Sequence, residues 1–128
     1  MVCTAEQACT AAQVKEKATR HAYPGQDPDT VVQDGGRYLV RDEITGAPGG
    51  YVITNISSDG FTIVNTTTPL HVFHDGQVVR VVFQRNGAWF VSTHGFGNNV
   101  IPGMNTVNQL FGPIQFRLLD NRLRDALR

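Results

Sequence analysis

An Asn86-Gly87 pair between two runs of β-branched and aromatic residues is the feature that most constrains the fold. Val78–Gln84 precedes the pair and Trp89–Thr93 follows it. Asn-Gly favours a two-residue type I′ turn, because both central residues of that turn adopt positive φ. The sequence therefore predicts an antiparallel hairpin at this point, with these two runs as neighbouring strands.

Other runs with a period of two predict the rest of a sheet: Arg37–Arg41, Tyr51–Ile56 and Phe61–Asn65. The Ser57-Ser58-Asp59-Gly60 turn signal predicts a hairpin between the last two runs. Leu70–Phe73 is a candidate for an additional short strand. Together these runs predict an antiparallel sheet of about five strands over residues 37–94.

Helical patterns flank the predicted sheet on both sides. Thr4–His21 predicts a helix, with Thr4 and Gln7 as a capping box, inside an N-terminal segment 1–25. A short helix is predicted over Asn105–Phe111. After Pro113, an apolar stripe with spacings near three and four predicts an amphipathic last helix: Ile114, Leu118, Leu119, Leu123 and Leu127, with Ala126. The expected class is therefore α+β, with an N-terminal helix, the sheet, and C-terminal helices over 104–128.

Length and charge limit the classes of function. The 128 residues suit a single domain spanning 1–128, and 11 basic residues balance 11 acidic ones. A net charge of zero argues against long-range attraction to nucleic acid as the main source of affinity, but leaves room for a cleft with two or three local arginines. No apolar run approaches the ~20 residues that span a bilayer. The beginning of the chain lacks the pattern of a secretory signal, and we interpret it as the start of a domain cut from a longer polypeptide.

The two cysteines, Cys3 and Cys9, lie six residues apart. On one helix this spacing is about 1.7 turns, so the side chains would point to different sides. The sequence therefore favours free thiols. The alternative is a small-loop disulfide, which requires Cys3 to lie before the helix and fold back.

His94 is the leading candidate for chemistry. It ends the last predicted strand, and glycines follow at positions 95 and 97. A strand end that opens into a glycine loop exposes its side chains, and histidine is the natural general acid or base near neutral pH. Thr93 would share its site only if a bulge interrupts the alternation of the strand. The other interpretation of His94 is a strand-terminating residue bonded to a loop.

Arg80 and Arg85 on the hairpin are the candidate phosphate ligands. An arginine beside a histidine stabilises the extra charge of a pentacoordinate phosphate while the histidine moves a proton. That pairing is the logic of metal-independent ribonucleases, in which the RNA 2′-OH is the nucleophile. A purely structural role for either arginine is equally open.

His71 and His74 are candidate partners of His94. They lie three residues apart, which places them on opposite faces of a strand but allows them to converge on a turn. No third ligand lies at a usable spacing, so no metal site is expected. Asn98 is a candidate substrate contact in an asparagine-rich segment, where capping and turn formation are the alternative roles.

The last third of the chain resembles the C-terminal toxin domains of bacterial polymorphic systems, of the contact-dependent inhibition and Rhs types. The resemblance rests on the pattern THGFGNN, then Asn105, Asn108, Gly112-Pro113, Phe116 and Leu119-Asp120. It covers about 35 residues. Many such domains are ribonucleases, often specific for tRNA, and each is neutralised by a dedicated immunity protein.

The resemblance implies a toxin domain that cleaves RNA without metal or cofactor, with roles for His94, Thr93 and Arg80 or Arg85. It implies delivery as part of a larger secreted or cell-surface protein and action in the cytoplasm of a target cell. Two alternatives stay open: an NAD-degrading or ADP-ribosylating toxin, and a non-enzymatic interaction domain. The first usually needs a glutamate at its site, and no glutamate lies near the glycine loop after His94.

Overall fold

The computed structural model describes residues 1–68, 76–97 and 113–128. Its elements in chain order are α1 (Ala11–Arg20), β1 (Gly36–Arg41), β2 (Pro48–Ile56), β3 (Thr62–Thr67), β4 (Gly76–Arg85), β5 (Ala88–Gly97) and α2 (Pro113–Ala126). The predicted α+β class is confirmed: in chain order, one helix precedes and one follows the strands of a five-stranded antiparallel sheet. The predicted strand at Leu70–Phe73 and the predicted helix at Asn105–Phe111 lie outside the described residues.

The sheet is a meander in which each strand pairs with the next one along the chain. Asn86 and Gly87 adopt φ values of 52° and 82°, as a type I′ turn requires, and Arg85 pairs with Ala88 across it. The β4–β5 ladder then runs without a register shift to the pair formed by Gly76 and Gly97. The hairpin predicted from the Asn-Gly pair is therefore confirmed, and its strands are longer than predicted.

Both helices pack on the same face of the sheet, which we call the helix face. The core on this face joins residues of α1, the strands and α2, namely Val14, Ala18, Val40, Val52, Ile63, Val82, Trp89 and Leu123. Alternation along β4 sends Val78, Arg80 and Val82 to the helix face, where all three are buried. The opposite face, which we call the outer face, receives the alternate residues of every strand.

The N-terminal helix begins at Ala11, so the predicted start at Thr4 is wrong. Thr4 and Gln7 do exchange the two hydrogen bonds of a capping box, at 2.8 and 3.2 Å, but they close an isolated turn. Ala8 then adopts a φ of 53°, which stops helical propagation. A second capping box, formed by Thr10 and Gln13, starts α1 instead.

A disulfide links Cys3 to Cys9, so the expectation of free thiols is wrong. Both cysteines precede α1, and the turn between them brings the second back over the first. The disulfide loop attaches to the free edge of β5 at Trp89, whose backbone N–H donates to the Cys3 carbonyl at 2.8 Å. The Trp89 indole Nε1–H also donates to the Cys9 carbonyl at 3.1 Å. The N-terminal segment thus covers one end of an edge strand that would otherwise present unpaired backbone groups.

Candidate functional site

A cleft of about 540 Å³ lies between the end of β5 and the side of α2. Its β5 wall consists of Val91, Thr93 and Gly95, which alternation places on the helix face. Its α2 wall consists of Phe116, Arg117, Asp120, Asn121 and Arg124, whose spacings of three and four residues place them on one side of the helix. Since glycine has no side chain, Gly95 leaves the mouth of the cleft open.

Arg80 lies behind this cleft, in contact with two of its lining residues, and only 3% of its side chain is exposed. Its Nη1 donates to the Thr93 hydroxyl at 3.0 Å, across the β4–β5 ladder in which the two residues pair directly. Its Nη2 donates to the Asp120 carboxylate at 2.7 Å and to the His21 carbonyl at 3.3 Å. A buried guanidinium is tolerated only when it is paired and hydrogen-bonded, and these three acceptors supply that compensation.

Two further arginines line the cleft, and neither forms an ion pair with a carboxylate of the described residues. Arg117 is exposed and makes no hydrogen bond or ion pair with any described residue. Arg124 donates to the Met1 carbonyl at 2.9 Å and to the Asn121 side-chain oxygen at 3.2 Å, both of which are uncharged. Because Asp120 is already balanced by Arg80, the described lining of the cleft carries two positive charges in excess. Guanidinium groups in such a setting bind phosphate or carboxylate groups.

The α2 wall is held in place by polar contacts on its other side. Arg122 forms a two-pronged ion pair with the buried Glu43 carboxylate, at 2.8 and 3.0 Å. Gln115 accepts from the Glu43 backbone N–H at 2.8 Å and donates to Asp42 at 3.0 Å. Hydrogen bonds to two backbone N–H groups lower the pKa of Asp42, so this acceptor stays ionised at neutral pH. These contacts fix the helix relative to the β1–β2 connection, so the cleft is preformed.

His21 lies behind the cleft as the C-cap residue of α1. It is buried, and its Nδ1 is 2.8 Å from the Lys17 carbonyl. Burial lowers the pKa of His21 below its ordinary value, which keeps the ring neutral at neutral pH. Its backbone carbonyl, not its ring, contacts Arg80, so this histidine supports the cleft rather than lining it.

The structure divides the candidate residues predicted from the sequence between the two faces of the sheet. Thr93 and Arg80 meet on the helix face, where Thr93 lines the cleft and Arg80 lies behind it. His94 is exposed on the outer face, where its Nε2 lies 2.9 Å from the Ser92 hydroxyl. The β5 ladder is regular through Thr93 and His94, so no bulge brings them into one site.

Arg85 also lies on the outer face, at the hairpin end of β4. It is exposed, and its guanidinium lies 5.9 Å from the centroid of the Phe83 ring. The remaining candidates, His71, His74 and Asn98, lie outside the described residues. Arg80 and Arg85 therefore belong to different surfaces, as their odd spacing on one strand requires.

The α2 wall of the cleft was missed by the sequence reasoning. Arg117, Asp120 and Arg124 recur at intervals of three and four residues on a helix whose leucines had defined its buried side. The same periodicity therefore carried a signal for a charged stripe next to the apolar one. That stripe alone could not show which strand of the sheet faces the helix across the cleft.

Neither described helix is long and apolar enough to cross a membrane. Among residues 1–68, 76–97 and 113–128, no three histidine, cysteine, aspartate or glutamate side chains form a group that could hold a metal ion. No protein-family model, curated protein or solved structure matches this chain. The functional argument therefore rests on the chemistry of the cleft.

Proposed function

We propose that this chain is a metal-independent ribonuclease domain that binds and cleaves RNA in the cleft between β5 and α2. The observation that carries the proposal is the clustering of Arg117 and Arg124 beside the buried Arg80–Thr93–Asp120 network. In a chain of zero net charge, this cluster is a local site for a phosphodiester rather than part of a generally basic surface.

Phosphodiester cleavage by the neighbouring 2′-OH needs a base and a cation that stabilises the pentacoordinate phosphate. Asp120 lines the cleft with 24% of its side chain exposed, and we assign it as the base that takes the 2′-OH proton. The 2′-oxygen then forms a bond to phosphorus as the bond to the 5′-oxygen breaks. The departing 5′-oxygen takes a proton from water in the open cleft.

Thr93 and the arginines hold the phosphate in this scheme. The Thr93 hydroxyl accepts from Arg80, so its own proton is free to donate to a phosphate oxygen. Arg117 and Arg124 supply guanidinium groups that bind the phosphate and stabilise its additional charge. Arg80 orients Asp120 and is therefore a positioning residue.

We further propose that the domain acts as a toxin, delivered as part of a larger protein into the cytoplasm of a target cell and neutralised by an immunity protein. Phe116 and Asp120 belong to the pattern that resembles polymorphic toxin domains, and both line the cleft. The Cys3–Cys9 disulfide supports passage through an oxidising compartment, since such bonds are rare in proteins that remain in a reducing cytosol.

The placement of the glutamates favours RNA cleavage over an NAD-degrading or ADP-ribosylating activity. Glu43 is held by Arg122, and Glu16 is paired with Arg20 on the exposed side of α1. Glu6 lies in the exposed N-terminal turn. None of the three lines the cleft. Measuring NAD in cells that express the domain separates the two activities, since a ribonuclease leaves NAD unchanged while RNA is degraded.

The decisive experiment incubates the purified, oxidised protein with total RNA in excess EDTA and follows cleavage on a gel. Asp120→Asn should lose roughly a hundredfold or more in rate, as expected for removal of a general base, while it keeps an acceptor for Arg80. Arg117→Ala should reduce cleavage, whereas Arg128→Ala, a matched change at an exposed arginine outside the cleft, should not.

His94→Ala discriminates between the two faces of the sheet. Cleavage at the wild-type rate is expected, because His94 lies on the face opposite the cleft. Undiminished cleavage by Asp120→Asn together with loss in His94→Ala would transfer the reaction to the outer face and overturn the proposal. Loss of wild-type cleavage in EDTA would overturn the metal-independent mechanism.

A further inference from the structure

The outer face of the sheet is apolar although both described helices pack on the opposite face. On β4 and β5 the apolar side chains that point to it are Val79, Val81, Phe83, Phe90 and Phe96. Phe96 is 62% exposed, and Tyr51 on β2 is 40% exposed. Val79, Val81, Phe83 and Phe90 are half-buried, so they remain partly accessible to solvent. Accessible apolar surface that extends over neighbouring strands often marks a binding surface.

Aromatic rings and cations occur together on this face. The Arg85 guanidinium lies over Phe83, and the Arg37 guanidinium lies 4.7 Å from the centroid of Tyr51. Phe83 and Phe90 form a cross-strand pair with ring centroids 5.4 Å apart. Exposed aromatic rings beside arginines are the groups on which unpaired nucleic-acid bases stack, including on antiparallel sheets.

The charged residues of the five described strands are all positively charged. None of the five strands contains an aspartate or a glutamate, and their charged residues are all arginines. Arg37 and Arg85 on the outer face therefore act without an opposing carboxylate on any strand. This charge pattern is complementary to a polyanion and unfavourable for a cationic partner.

We propose that the outer face along β4 and β5 binds single-stranded RNA, with bases stacked on Phe96 and on the Phe83–Phe90 pair and phosphate bound by Arg85. This inference rests on the proposed ribonuclease function and adds a second RNA-binding surface to the catalytic cleft. Six residues separate Phe90 from Phe96, which is about 20 Å along an extended strand and is long enough for several nucleotides.

β5 connects this surface to the cleft. Thr93 faces the cleft, His94 and Phe96 face outward, and Gly95 lies between them near the end of the edge strand. No described atom lies within 4 Å of the position that a Gly95 Cβ would occupy. Gly95 therefore places no side chain between the outer face and the cleft at this position of β5. The outer face would hold the flanking nucleotides while the cleft holds the scissile phosphate.

The test measures binding separately from cleavage, using a labelled single-stranded 2′-O-methyl oligonucleotide of about ten nucleotides, which lacks the nucleophilic hydroxyl and suits a sheet platform. Fluorescence anisotropy gives its Kd. Phe96→Ala should weaken binding roughly tenfold, the loss expected for one stacked base. Arg85→Ala should lower the slope of log Kd against log salt by about 0.7, the value for one phosphate contact to a single strand. Ile44→Ala, at an exposed apolar residue away from the strands, is the matched control and should bind as the wild type does.

Three outcomes decide the inference. Wild-type affinity in both Phe96→Ala and Arg85→Ala would overturn it. An increase in mass at working concentration that Phe96→Ala abolishes, with RNA affinity unchanged, would assign the face to protein association instead. If the oligonucleotide binds in a Phe96-dependent manner but no RNA is cleaved, the outer-face inference stands and the proposed ribonuclease function fails.

Discussion

The buried ion pair between Arg80 and Asp120 provides the strongest test of how the cleft is built. Asp120→Ala removes the only carboxylate in contact with a guanidinium that is 3% exposed, within the described part of the chain. Removing one partner of a buried pair costs about 3–5 kcal/mol, because the remaining charge is left uncompensated.

The structure places the expected cost at the lower end of that range. Arg80 keeps two neutral acceptors, the Thr93 hydroxyl at 3.0 Å and the His21 carbonyl at 3.3 Å. Asp120 itself is 24% exposed, so water can enter the space that its side chain vacates. We therefore expect Asp120→Ala to lower the free energy of unfolding by about 3 kcal/mol. Asp120→Asn keeps an acceptor but loses its charge and should cost less, about 1–2 kcal/mol.

The measurement is urea unfolding of the oxidised protein, followed by far-UV circular dichroism and by the fluorescence of Trp89, the single tryptophan. Asp125→Ala is the matched control on the same helix, because it breaks an exposed ion pair with Arg128, beyond the helix end, and should cost less than about 1 kcal/mol. A cost for Asp120→Ala no larger than that of the control would show that Arg80 is solvated, and would refute the buried-network account of the cleft.

Three further changes test other parts of the structure. Reduction of the Cys3–Cys9 bond should lower the free energy of unfolding by about 2 kcal/mol, the loop-closure entropy expected for a six-residue separation. Replacement of both cysteines by serine should have the same effect, and dithiothreitol should not change the stability of that double variant. Gly25→Ala should cost about 1–3 kcal/mol more than Gly46→Ala, since both glycines have positive φ but only the Cβ at position 25 meets atoms of β1, as close as 2.5 Å. Burial lowers the pKa of His21, so in mildly acidic solution the unfolded chain binds a proton at this residue that the folded chain does not. The free energy of unfolding should therefore fall as the pH is lowered below about 6.5. The urea midpoint should decrease between neutral and mildly acidic pH, and this decrease should be smaller in His21→Leu.

The features that could be predicted from the sequence depend on residues close together in the chain. Asn86 and Gly87 specify their turn because the turn needs positive φ at both positions, whatever lies around it. The last helix follows from its periodicity, and two of its predicted apolar residues, Leu119 and Leu123, are fully buried. The buried side of this helix nevertheless differs from the predicted one, because Phe116 is buried whereas Ile114 is exposed.

The start of α1 shows the limit of a local pattern. A threonine followed three residues later by glutamine occurs twice within the first 13 residues, at Thr4 and at Thr10, and both pairs form the expected hydrogen bonds. Only the second begins a helix. The first lies in the loop that the disulfide closes. That loop is held by a hydrogen bond from Trp89, a residue distant in the sequence. The local signal could not distinguish the two cases.

The division between sequence and tertiary structure is clearest in the two sites. Alternation along β5 already implied that Thr93 and His94 point in opposite directions unless a bulge intervenes. Which direction leads to the cleft depended on where the helices pack. Arg80 is held behind that cleft by Asp120, 40 residues away, and by the carbonyl of His21, 59 residues away. Local conformational preferences are properties of neighbouring residues, whereas the burial of a charge is decided by whichever distant groups the fold brings within hydrogen-bonding distance.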